Sequence, residues 1–196
     1  VLAELIANAY DADAKNVYII SNRDEIRVED DGHGMSYVAG DIARFLNVAG
    51  VSRATEEDAR TKAGIRRKMG RKGVGKLAAL SVSEHVDVLT VADGEKSGFV
   101  LARRPENGND LKAIEDEKIV FERVTDHGSA IIMRNPQYRL HKTLAAVKRN
   151  LLKIFPLVDA NFRIHVVRGA ETVMIDDFDR SIMGELSTLI TLGERF

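Results

Sequence analysis

"ELIANAYDADAK", residues Glu4 to Lys15, carries two patterns at once. Wound at about 100° per residue, Leu2, Leu5, Ile6 and Ala9 gather on one side, the stripe of a helix that packs on a core. Glu4, Asn8 and Asp11 fall within roughly 60° of one another on the other side. A solvated face accounts for polar residues in general. It does not ask for a carboxylate, an amide and a carboxylate in register.

Outward from this helix the chain alternates strand-like and helix-like runs. "NVYII" (Asn16 to Ile20) and "EIRVED" (Glu25 to Asp30) are β-rich and flank the turn-forming "SNRD". "YVAGDIARFLNVAG" has apolar residues at helical spacing, whereas Ser52 to Lys72 is polar, charged and without period. A long loop of that kind inside a compact domain is usually functional or mobile. "GVGKLAALSVSE" restarts a helix, and "HVDVLTVAD", "SGFVLARR", "EKIVFERV" and "SAIIMRN" read as four strands. Asn107 to Asp110 reads as a hairpin loop. "LHKTLAAVKRNLLKIF" is a late amphipathic helix, followed by strand-like "NFRIHVV" and "ETVMID". Neighbouring strands on short connections favour antiparallel pairing with helices on one face, an α+β sandwich.

Composition narrows the class. The 196 residues are 44% hydrophobic and 30% charged, enough to bury a core. A net charge of −1 argues against wholesale polyanion binding and leaves local patches open. The absence of cysteine excludes disulfides and thiolate metal sites and suits a reducing, cytoplasmic setting. No apolar run approaches the roughly 20 residues that span a bilayer, so no membrane partner is expected. Val1 is not an initiator methionine and the helix is already under way there, so we expect a fragment of a longer protein.

Two glycine-rich stretches carry further chemistry. "DDGHGM" sets Asp30, Gly32 and Gly34 in D-x-G-x-G spacing at a strand's end. A carboxylate there can accept a hydrogen bond from an exocyclic amine, and the glycines allow a close backbone approach to a flat ligand. A plain turn is the alternative. "MGRKGVGKLAAL" places Gly70, Gly73 and Gly75 ahead of a helix with Lys76 in its first turn, a combination that cradles phosphate. A hinge is the alternative. The Gly-Lys pair is followed by Leu77, so this is not a P-loop.

In this order the three elements resemble the GHKL superfamily, the gyrase, heat-shock chaperone, histidine kinase and MutL ATPases, nearest to its MORC-like and chaperone-like branches. "HGSAIIM" is a fourth match, with Ser129 where the family often has threonine. The resemblance implies a Bergerat-type two-layer α+β sandwich, its mixed, mainly antiparallel sheet carrying helices on one face. It implies one ATP-binding domain over residues 1–196 with a lid at about 50–75. Glu4 would activate the attacking water and Asn8 would ligate Mg²⁺. Nucleotide contacts would come from Asn8, Asp11, Asp30, Gly32, Gly34, Met35, Gly70, Gly73, Val74, Gly75, Lys76 and Ser129, with Asp30 on the adenine amine.

The activity so implied is Mg²⁺-dependent ATP hydrolysis, a switch that drives homodimerisation of the full-length protein, weak in the isolated fragment. Nucleic-acid contact is left to the full-length protein. Two rivals are a nucleotide sensor with negligible hydrolysis and a histidine-kinase-like phosphotransferase. Glu4 argues against the kinase, which usually has no carboxylate there. Eight of the seventeen residues from Arg60 to Lys76 are basic, which suits a lid over triphosphate or a solvated loop. The five histidines lack ligand spacing, so no zinc site is expected.

Overall fold

The computed structural model describes residues 1–46, 60–64, 66–69, 75–104, 111–140, 143–155, 158–176 and 178. Helix α1 (Leu2–Asp11) leads through a tight turn into strands β1 (Asn16–Ser21) and β2 (Glu25–Asp30). Two short helices follow, α2 (Asp41–Leu46) and α3 (Gly75–Leu80). Next come strands β3 (His85–Ala92), β4 (Glu95–Ala102), β5 (Lys112–Ala113) and β6 (Gly128–Arg134). Helix α4 (Leu144–Ile154) then precedes β7 (Arg163–Arg168) and β8 (Glu171–Ile175). The strands form one eight-stranded sheet in the order β5-β4-β3-β6-β2-β1-β7-β8. Every pairing is antiparallel except β1 with β7.

Alternation along the strands sorts side chains to two faces. On one face Ile19, Val28, Val88 and Val166 meet Leu2, Leu5, Ile6 and Ala9 of α1 and Leu144, Val147 and Leu151 of α4. These residues are buried, the outcome expected for two amphipathic helices on an apolar sheet. Thr143 caps α4, its hydroxyl oxygen accepting from the Ala146 N–H at 3.3 Å.

The parallel pair joins strands far apart in sequence, Asn16 standing opposite Arg163. Tyr10, Phe155 and Phe162 lie edge-on or tilted to one another behind it, with centroids 5.2–6.2 Å apart. Helix α1, the end of α4 and the chain entering β7 are thereby packed together.

The opposite face is covered in part by the chain between β5 and β6. "EKIVFERV" is not the strand its alternation suggests: Asp116–Lys118 is a 3₁₀ turn and the rest is irregular. Its apolar residues serve as a cover, Ile119 packing on Leu89, Ala130 and Ile132. Beneath it the buried carboxylate of Glu29 pairs with Arg27 and accepts from the backbone N–H groups of Glu122 and Arg123 at 2.9 and 2.8 Å.

Candidate functional site

Asp30 ends β2, and its neighbours across the ladders are Ser129 of β6 and, beyond it, Thr90 of β3. Directly paired residues share a face. The three polar side chains therefore form a row on the helix-bearing face, at the end of the sheet where α1 finishes. Asp30 is half-buried, and the N–H of Gly32 donates to its Oδ1 at 2.9 Å. Burial, with Asp31 and Glu29 close by, pushes its carboxyl up to about 7 against the one hydrogen bond that favours the charge.

Asp31 has a different task. Its two oxygens accept from the Lys15 and Asn16 backbone N–H groups and the Asn16 amide, each at 2.7 Å, pinning the start of β1 to the end of β2.

The glycines of this loop answer to the protein's own packing. A Cβ on Gly32 would lie 2.7 Å from Ala12 Cβ. Gly34 has φ +68°, and a Cβ there would meet the Val91 carbonyl at 2.1 Å. The loop is thus pressed between the end of α1 and β3. Thr90, fully buried, fixes it: its hydroxyl accepts from the Met35 N–H at 2.7 Å and donates to the Gly128 carbonyl at 3.2 Å. His127 donates through Nδ1 to the Gly32 carbonyl at 2.6 Å. Neither Thr90 nor His127 was picked out by sequence. A threonine at a core-facing position of the apolar run "HVDVLTVA" was the available signal.

Glu4 and Asn8 are exposed on the side of α1 away from its buried stripe, and Asp11 is half-buried one turn on. Asp11 Oδ1 accepts from the Met69 N–H at 2.6 Å, and Asp13 Oδ2 accepts from the Ala63 N–H at 2.8 Å. Arg66 clamps the same segment to α1. Its guanidinium donates to the carbonyls of Ala14 and Asn161 at 2.8 Å and lies 4.7 Å from the Tyr10 ring centroid. This part of the expected lid is therefore docked on the end of α1. Gly70, Gly73 and Val74, and most of the rest of the lid, lie outside the described residues. Gly75 opens α3; the side chain of Lys76 lies outside the described set.

The sequence pattern of the family described as "Histidine kinase-, DNA gyrase B-, and HSP90-like ATPase" matches residues 1–129. The chain belongs to this GHKL-type family. The α+β architecture with its mostly antiparallel sheet fits the Bergerat fold of GHKL proteins. It is also similar to "Putative type II restriction enzyme HgiDII" of Herpetosiphon aurantiacus, with 30% identity over 194 residues. That match takes in 97% of this chain and 31% of the relative, so the GHKL chain spans about a third of that protein's length. Membership makes this an ATP-binding type of domain, and the matched range takes in both the Asp30 row and α1. Among the described residues no helix is long and apolar enough to cross a membrane.

Proposed function

We propose that the domain binds ATP with Mg²⁺ and hydrolyses it, as the nucleotide-driven switch of a longer protein. The observation that carries this reading is the Asp30 row. A half-buried carboxylate whose geometry leaves acceptor positions open stands beside Ser129 at the end of β2, next to a loop whose backbone is locked by Thr90. Such a group suits an exocyclic amine, and the rigid loop holds it without reorganisation. Asn8 would supply one oxygen to Mg²⁺. Among the described residues no three acidic or imidazole side chains gather as a metal cage, so the cation would draw its other ligands from phosphates and water.

Bound nucleotide and Mg²⁺ would supply the reacting phosphoryl group and the charge that offsets its oxygens. The chain's own part is to seat the base at Asp30 and Ser129 and to present Glu4 as the group that takes a proton from water. The glycine motif, Gly70 to Lys76, would supply contacts to the phosphates. The likeness to a protein named as a restriction enzyme supports DNA as the substrate on which the longer protein acts. Homodimerisation on nucleotide binding belongs to the same proposal.

The test is a phosphate-release assay beside calorimetric titration with a non-hydrolysable ATP analogue. Glu4→Ala should keep analogue affinity while lowering turnover about 10²–10⁴-fold, because a general base acts in the transition state. Turnover that survives the substitution unchanged would overturn the assignment. Analogue binding without measurable wild-type turnover would make the domain a nucleotide sensor.

A further inference from the structure

The face of the sheet opposite the helices carries a hydrogen-bond chain that ends beside Asp30. Val17, paired with Asp30, points to the helix-bearing core, so alternation turns its neighbours Asn16 and Tyr18 the other way. His165 of β7 pairs with Tyr18 and shares its face. The His165 Nε2 lies 3.0 Å from Asn16 Oδ1, and Asn16 Nδ2 donates to Asp31 Oδ2 at 2.7 Å. Strand β7 is thereby linked, through β1, to the residue that follows Asp30.

The direction of each bond follows from the groups themselves. An ionised carboxylate only accepts, so the Asn16 amide turns its nitrogen to Asp31 and its oxygen to His165. His165 must then donate through Nε2–H, which fixes the tautomer of the neutral ring. That ring lies nearly parallel to Tyr18, with planes 18° and centroids 4.6 Å apart, so its angle toward Asn16 is held as well.

Three observations tie the chain to Asp30. Asp31 stands between Asp30 and Gly32, whose N–H donates to Asp30 Oδ1, so whatever anchors Asp31 shapes that short turn. The anchoring is dense: the Lys15 and Asn16 N–H groups both reach Asp31 Oδ1 at 2.7 Å, and the Asp31 N–H donates to the Asn16 carbonyl at 3.2 Å. The charge of Asp31 is also felt at Asp30, where it helps burial to raise the carboxyl.

We propose that Asn16 and His165 are positioning residues for base recognition, holding Asp31 so that Asp30 presents its carboxylate to an exocyclic amine. The proposal rests on the reading of Asp30 as the base-binding group and adds a requirement for the far side of the sheet. Groups that select a ligand keep their geometry through the hydrogen bonds that support them. A well-placed acceptor then rejects a base that lacks the matching donor.

The experiment titrates the 196-residue chain by calorimetry with non-hydrolysable analogues of ATP and of inosine triphosphate, whose base has a carbonyl oxygen in place of the amine. Wild type should prefer the adenine analogue by about tenfold or more. His165→Phe keeps a ring against Tyr18 but no donor, and should cut that preference about threefold. His165→Gln returns an N–H near the Nε2 position and should restore it. Asn16→Ala breaks both links and should cut the preference about tenfold. A merely structural anchor would lower the melting temperature of these variants and leave the ratio of the two affinities unchanged; that result overturns the proposal. Equal loss of preference in His165→Phe and His165→Gln overturns it too. A wild type that does not tell the two bases apart overturns the reading of Asp30, and this proposal with it.

Discussion

Half-buried, with the carboxylates of Asp31 and Glu29 close by, Asp30 holds its proton up to about pH 7, far above its ordinary 3.8. A group whose pKa is raised by folding contributes stability that is fully present below its unfolded value and is lost as pH rises through its folded one. Wild type should therefore lose unfolding free energy between about pH 4 and 7, and Asp30→Asn should flatten that slope in urea titrations. A ligand amine that hydrogen-bonds the carboxylate favours its ionised form. ATP-analogue affinity should then rise from pH 6 to 8 in wild type. In Asp30→Asn the slope should vanish and affinity at pH 8 should fall by about 1.5–3 kcal/mol, as read by calorimetry. Asp30 was legible because its motif is local. The purpose of Gly32 and Gly34 was only half legible: the fold itself asks for both, through Ala12 and the Val91 carbonyl, and those neighbours are distant in sequence. Thr90 left only a faint local signature, a polar residue in an apolar run, because its partners come from β6 and from a loop more than fifty residues away.

At the scale of elements, the acidic end of α1 anchors a segment whose identity no periodicity reveals. Arg66, Asp11 and Asp13 join residues 63–69 to the helix through side chain-to-backbone contacts. Arg66→Ala removes the charge-assisted bonds to Ala14 and Asn161 and the contact over Tyr10, and should cost about 1–3 kcal/mol of local stability. Faster amide exchange at Ala63 and Met69, with little change at Val28 or Val88, is the expected pattern by mass spectrometry. The antiparallel runs were readable because consecutive strands lie close in sequence. The parallel β1–β7 pair was not, since Asn16 and Arg163 meet only after α4 has returned the chain. "EKIVFERV" misled for the converse reason: alternating burial also suits an irregular cover with one side on a sheet.

Across the whole molecule, the sheet has helices on one face and, on part of the other, a cover held by a buried ion pair. Glu29 is fully buried and Arg27 is 7% exposed. Removing one partner strands a buried charge, so Glu29→Ala should cost about 3–5 kcal/mol in urea unfolding. Replacing both, as Arg27→Met with Glu29→Leu, should restore most of that loss, because the desolvation cost then disappears with the charges.

The stacking of Arg66 on Tyr10 has an optical consequence. The chain has no tryptophan and four tyrosines, so its ultraviolet emission is tyrosine emission alone. Tyr37 and Tyr138 stand 75% and 40% exposed and report chiefly on solvent. Tyr18 lies against the His165 ring with centroids 4.6 Å apart, a fixed environment inside the sheet. Tyr10 alone is pressed between a guanidinium from the docked segment and the rings of Phe155 and Phe162. Undocking of that segment would thus change the brightness of a single native fluorophore, and the difference between wild type and Tyr10→Phe isolates its signal without a label.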